Sequence, residues 1–246
     1  MTENRQVFIT GAADSAADSG RKKIMRLMLL VLIPFILIMS AAEVFAGNAA
    51  MNQVTPETKY IMIGDSYAIQ PVQHPEQNWP DQLYKKLNMQ DSEVCIIKRG
   101  GYGFIGKHNR KAFIDLIRPL ESSQNIKAII IAGGLTNDLK FSKQKIRKAF
   151  KKLNVLLKEK YPNARVYYGA INWKKKKAVQ RKINKRKALY YLFSQENGWV
   201  YLPRAQDALK GQKHCIKKDK HHPTMAGVNR IVAAMYEDLK GYFPVS

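Results

Sequence analysis

Five short apolar runs, each separated from the next by a helical pattern, constrain this chain more than any other feature. They are "YIMI" at 60–63, "EVCIIK" at 93–98, "IKAIIIAGG" at 126–134, "ARVYYGA" at 164–170 and "GWVYLP" at 198–203. Their apolar residues are continuous rather than alternating. A strand wetted on one face alternates apolar and polar residues, and a strand covered on both faces does not. The intervening segments carry helical spacing. In "NWPDQLYKKLNM" (78–89), Asn78 suits the cap, Pro80 suits the first turn, and Leu83, Tyr84 and Leu87 share a face. "KAFIDLIRPL" reads as a helix that stops at Pro119. Residues 142–161 repeat Ile146, Phe150, Leu153 and Leu157, and 179–195 form a very basic helix. Residues 223–242 carry Val228, Ile231, Val232, Met235 and Leu239 behind Pro223, which is expected to start the helix. The fold class that follows is α/β: a three-layer α/β/α sandwich around a mostly parallel five-stranded sheet.

In such sheets ligands bind beyond the carboxyl ends of the strands. Three strand ends therefore matter. Gly64-Asp65-Ser66 follows the first, Gly100-Gly101 the second, and Gly133-Gly134-Leu135-Thr136-Asn137-Asp138 the third.

The chain divides before this domain. Residues 1–26 are polar and then basic, with Arg21, Lys22, Lys23 and Arg26 at their end. Residues 27–46 open with "LMLLVLIPFILIMSAA", sixteen residues without a charge. A membrane span needs about 20 apolar residues. The segment is thus expected to be a signal-peptide core or a membrane anchor. Val44 and Ala46 fit a cleavage site before Gly47, and Met25 is a second candidate start. No Lys or Arg follows until Lys59, which places the bulk of the protein outside the cytoplasm by the positive-inside rule. Residues 47–57 read as a linker and 58–246 as one domain of ordinary size.

The formal net charge is +23. It falls by only one, to +22, when 1–46 are set aside, because that segment carries five basic and four acidic residues. The exported domain itself attracts polyanions. Export disfavours nucleic acid and points to an anionic cell envelope or membrane surface. Two cysteines, Cys95 and Cys215, are too few for a disulfide scaffold and leave open a single bridge. No CxxC or His/Cys cluster marks a metal site.

Ser66 is a weak nucleophile unless a base takes its proton. His74 and His108 lie in loops and His214 in a basic loop, while His221 and His222 stand just before the last helix in "CIKKDKHHPTMAG". Asp219 precedes His222 by three residues, a spacing that lets a short loop turn the carboxylate onto the imidazole. Asn137 could aim an amide N–H at an oxyanion, and Gly100 or Gly101 a backbone N–H. Each residue alone has an ordinary reading as turn, cap or solvated loop.

Together, "IGDSY", "RGGYGF", "GGLTND" and "DKHHPTMAG" resemble, in order, the blocks of the SGNH or GDSL-type serine esterases and lipases, and "NWPDQLYKKL" resembles their first helix. The resemblance spans about 59–239. It departs at Tyr67, where the name-giving leucine would stand, and at Gly134, which lies three residues before Asn137 rather than two. It implies a flavodoxin-like sheet, Ser66 as nucleophile, His222 as base and then acid (with His221 its rival), and Asp219 as orienter. The oxyanion hole would be the Ser66 N–H, Gly101 (or Gly100) and Asn137, with Asp65 structural. The implied reaction is ester hydrolysis through an acyl-serine, with no metal or organic cofactor. The expected substrate is an acylated glycan, and a monomer is expected. The alternative is a catalytically silent module that holds anionic wall polymer. Its surface would be "NWKKKKAVQRKINKRKALYY", where Trp173 could also lean over the site edge.

Overall fold

The computed structural model describes residues 53–106, 112–172 and 177–243 of the 246-residue chain. The expected cytoplasmic, signal or anchor and early linker segments lie outside the described residues, as do Met25, His108 and Trp173–Lys176. Among the described residues no helix is long and apolar enough to cross a membrane.

The sheet has five strands: β1 (Tyr60–Gly64), β2 (Val94–Lys98), β3 (Ala128–Ala132), β4 (Arg165–Gly169) and β5 (Val200–Tyr201). Their order is β2-β1-β3-β4-β5, and every pairing is parallel. The first connection runs to one side of β1 and the next returns to its other side, so the order reverses at β1 and β3. This is the switch point at which open α/β sheets form a crevice. Gly64 is level with Lys98 on one side and with Ala132 on the other, and Ala132 is level with Gly169. Four strands therefore end flush, and the loops that follow them open on one edge.

Seven helices flank the sheet among the described residues: α1 (Trp79–Lys86), α2 (Phe113–Ile117), α3 (Leu135–Asp138), α4 (Lys143–Lys160), α5 (Lys177–Glu196), α6 (Pro203–Asp207) and α7 (Met225–Leu239). Successive strand residues point to opposite faces, and the sheet is buried on both. Met62, Ile96, Ile130 and Tyr167 pack with α1, α6 and α7. Ile61, Ile63, Ile129, Ile131 and Tyr168 pack with α2, α4 and α5. Two buried faces explain why the strands read as unbroken apolar runs. Cys95 belongs to the second layer and Cys215 to the first. Both are buried free thiols, so the open question of a bridge resolves against one.

The local caps follow the sequence. Asn78 Oδ1 accepts from the Asp81 N–H at 3.2 Å, and Ser142 accepts from the Lys145 N–H. The last helix is a correction. Pro223 does not start it. Pro223 pairs with Ile216 in a short antiparallel bridge, and Thr224 is the cap, its Oγ1 accepting from the Gly227 N–H at 3.3 Å. The hydroxyl supplies what a proline lacks, an acceptor for an orphan N–H at a helix start.

Candidate active site

The turn after β1 carries Ser66, which is partly exposed, between two buried neighbours. Asp65 is 1% exposed. Its Oδ1 accepts from the Tyr67 N–H at 3.0 Å and its Oδ2 from the Gly134 N–H at 2.8 Å. The carboxylate thus shapes the serine turn and ties it to the loop after β3. Gly133, at φ +108°, makes room for it: a Cβ there would lie 2.4 Å from the Asp65 carboxyl carbon. No side chain fits, and the positive φ favours glycine independently.

The loop after β2 closes a second side. A Cβ on Gly100 would meet Ser66 Cβ at 3.9 Å, so this backbone runs beside the serine. Gly101 has φ +81°. Asn137, on α3, donates from Nδ2 to the Tyr102 carbonyl. Its amide therefore stands against the Gly100-Gly101 loop, and the same NH2 carries a second hydrogen. Asp138 is fully buried and holds this loop from beneath. It accepts from the Phe104 and Ile105 N–H groups at 3.0 and 3.1 Å and from the Tyr190 hydroxyl at 2.7 Å. Burial pushes its carboxyl up to about 6, against the lowering effect of those three donors.

The third side is the 215–224 loop. Asp219 Oδ1 accepts from the N–H groups of His221 (2.8 Å) and His222 (2.9 Å), and Oδ2 lies 2.7 Å from His222 Nδ1. A carboxylate only accepts, so Nδ1 carries the proton and the neutral ring offers Nε2 as an acceptor. That tautomer is the one a general base requires. The loop is fixed to the serine turn. The Tyr67 hydroxyl donates to the His221 carbonyl at 2.8 Å, its ring packs on His221 and His222, and Lys217 Nζ donates to Gln70 Oε1 at 2.6 Å. Lys220, at φ +62°, makes the tight bend between Asp219 and the histidines.

The two histidines are distinguished by their contacts. The Asp219 carboxylate meets the His222 ring, whereas His221 meets the same carboxylate through its backbone N–H. His74 pairs with Glu76 at 3.6 Å in the loop after the serine turn, and His214 is exposed. Among the described residues no group of His, Cys, Asp and Glu could hold a metal ion.

Two parts of this region depend on distant partners that the sequence does not reveal. Tyr67 joins the serine turn to the histidine loop, and Asp138 supports the glycine loop. The sequence signal for Asp138 was its place directly after the apolar run and beside Asn137; the partner Tyr190 lies 52 residues away and had none.

Partial burial alone would raise the Asp219 carboxyl, but the bonds from the His221 N–H, the His222 ring and the His222 N–H hold it down at about 2. Its ordinary value is about 3.9. A depressed carboxylate stabilises its loop fully above the unfolded value, and the effect fades as pH falls through the folded one. The Asp219 side-chain carboxyl carbon resonance should therefore show protonation only below about pH 4, with its midpoint toward about pH 2. An NMR titration with its midpoint at the ordinary carboxylate value would contradict the geometry.

No family model and no curated protein matches the chain. Solved structures do. TesA superposes with a TM-score of 0.61 at 15% identity, over 75% of this chain and 99% of that one. A family two carbohydrate esterase from Clostridium thermocellum, in complex with cellohexaose, gives 0.57 at 15% identity, over 76% of this chain and 64% of that one. A protein described as a GDSL-like lipase from Bacteroides ovatus gives 0.51 at 18% identity, over 75% and 99%. The shared property is the fold, a five-stranded parallel sheet between helix layers, as in ester-hydrolysing SGNH proteins.

Proposed function

We propose that this chain is an exported serine esterase that removes small acyl groups, acetyl first among them, from a glycan of the cell envelope. The observation that carries the reading is the Asp219–His222 couple, 2.7 Å apart, on a loop that Tyr67 fastens to the turn bearing Ser66. The fold supports ester chemistry, and a carbohydrate esterase among the structural neighbours supports a glycan. The basic flank and apolar run at 21–46 support export.

In this reading Ser66 Oγ attacks the ester carbonyl carbon as His222 Nε2 takes its proton. Asp219 holds the ring and steadies the imidazolium. The carbonyl oxygen becomes an oxyanion, met by the Ser66 N–H, by Gly101 or Gly100, and by Asn137. One such donor supplies about 2.7–4 kcal/mol of transition-state stabilisation. The alcohol leaves with the proton from His222, and a water, activated by the same base, releases the acid and frees the serine.

The second reading, a silent module for anionic wall polymer, is favoured by the outer surfaces of α4 and α5. There Lys145, Lys148, Lys151, Lys152, Lys182 and Lys185 are all exposed.

The acyl preference is tested with the full-length protein on p-nitrophenyl esters of increasing chain length. Acetate should turn over fastest, with kcat/KM falling steadily toward decanoate. A maximum at the long esters would overturn the small-acyl part of the proposal and leave the esterase part standing.

A further inference from the structure

A cleft of about 930 Å³ lies between α5 and the β5–α6 segment, and its lining includes none of Ser66, Gly100, Gly101, Asn137, Asp219 or His222. Ligand sites are usually clefts of roughly 300–1,000 Å³ with a few convergent polar groups. This one has an ordered lining. Along α5, the residues Gln180, Asn184, Ala188, Tyr191 and Gln195 face it at spacings of three and four, which places them in one stripe. Lys187 reaches the cleft from the same helix, so this face is rich in amides with one cation, on a helix that is otherwise strongly basic. Ala188, at its centre, leaves the space that a longer side chain would fill.

The opposite wall brings Tyr201, Gln206 and Asp207. Tyr191 is 47% exposed and stands edge-to-face on Tyr201 at 5.3 Å. The cleft is also cationic: Lys187 and Lys210 line it against Asp207 alone, and Arg165 adjoins them with its guanidinium over the Tyr242 ring at 4.8 Å. Lys187 is only 6% exposed, donates to the Gln206 carbonyl and lies 3.6 Å from Asp207, which Lys210 also approaches at 3.6 Å. Burial pushes the Lys187 ammonium down to about 8, with Asp207 opposing the shift.

We propose that this cleft is a second binding site, for an acidic oligosaccharide, separate from the Ser66 chemistry. The amides match sugar hydroxyls, since each side chain both donates and accepts. The tyrosine rings offer flat apolar faces to sugar C–H groups. The two lysines, in excess over Asp207, match a uronate carboxylate. A membrane surface meets flat, wholly basic faces rather than a concave, amide-lined one. The cleft would hold a polymer chain while the esterase site works on another of its residues.

The test uses the full-length protein carrying Ser66→Ala, so that binding is read without turnover. Tetragalacturonate and a short hyaluronan oligomer are titrated by calorimetry, with cellotetraose and polyphosphate as controls. At least one acidic oligosaccharide should bind saturably and more tightly than cellotetraose. Ala188→Phe, which fills the cleft, and Tyr191→Ala should each weaken it by about tenfold. In the Ser66-intact protein the same two variants should leave p-nitrophenyl acetate hydrolysis within about twofold of the parent, by the same free-energy scale. Absence of saturable binding by both acidic sugars would overturn the proposal. So would binding that survives both variants, or that polyphosphate displaces equally well in them, since either assigns it to the exposed lysine faces. No hydrolysis by the Ser66-intact parent, with sugar binding intact, would reject the esterase reading and leave this site standing.

Discussion

Ser66→Ala should lower kcat/KM for p-nitrophenyl acetate by about 10⁴-fold or more while the protein stays folded. The size follows from what the serine does in the proposed reaction. Without Oγ there is no acyl-enzyme, and only binding and the oxyanion donors remain to assist water, a residue of catalysis worth about 10³–10⁴ over the uncatalysed reaction. The effect on stability should be small. Ser66 is partly exposed, and the bonds that shape its turn belong to its neighbours, the Asp65 carboxylate and the Tyr67 N–H. Losing a partly exposed hydroxyl on the surface of a turn costs within about 0.5 kcal/mol. The check is kinetics and thermal denaturation on the same preparation.

The adjacent residue should behave in the opposite way. Asp65→Ala removes the acceptor of two buried N–H groups, on Tyr67 and Gly134. Each orphaned donor costs about 1–3 kcal/mol, so a loss of about 3 kcal/mol is expected. For a domain of this size that is a fall of roughly 10 °C in Tm. Asp65→Asn keeps one acceptor oxygen and should lose about half as much. A fall of under about 1 kcal/mol in Asp65→Ala, measured by urea denaturation, would show that the turn is held by something other than this carboxylate. The pair of variants separates two roles within one tripeptide.

Much of this arrangement was legible in the sequence because parallel sheets make it so. Strands buried on both faces produce unbroken apolar runs, and strands that end in register collect their following loops on one edge. Gly64, Lys98, Ala132 and Gly169 do end level, and the residues just beyond those ends bring Ser66, the glycine pair and Asn137 together as neighbours. The Asp219–His222 contact was legible because it is local, three residues apart. What stayed hidden depends on contacts between distant segments. Tyr67 reads as an apolar residue in a turn, and its hydroxyl finds the His221 carbonyl 154 residues later. Asp138 reads as half of an Asn-Asp turn and is a buried acceptor for three donors. Pro223 carries a strong helix-start signal, but the bridge to Ile216 claims it and Thr224 caps the helix instead. The basic helix reads as one charged surface, and its amide-rich face lines a cleft only once β5 and α6 form the facing wall.

Covalent capture reads directly whether Ser66 is a nucleophile activated by His222. The full-length protein is treated with a fluorophosphonate at neutral pH, digested, and the adduct located by mass spectrometry. A single phosphonyl adduct on Ser66 is expected, lost in Ser66→Ala and in His222→Ala and retained in His221→Ala. No adduct on Ser66, or one that persists undiminished in His222→Ala, would contradict that activation.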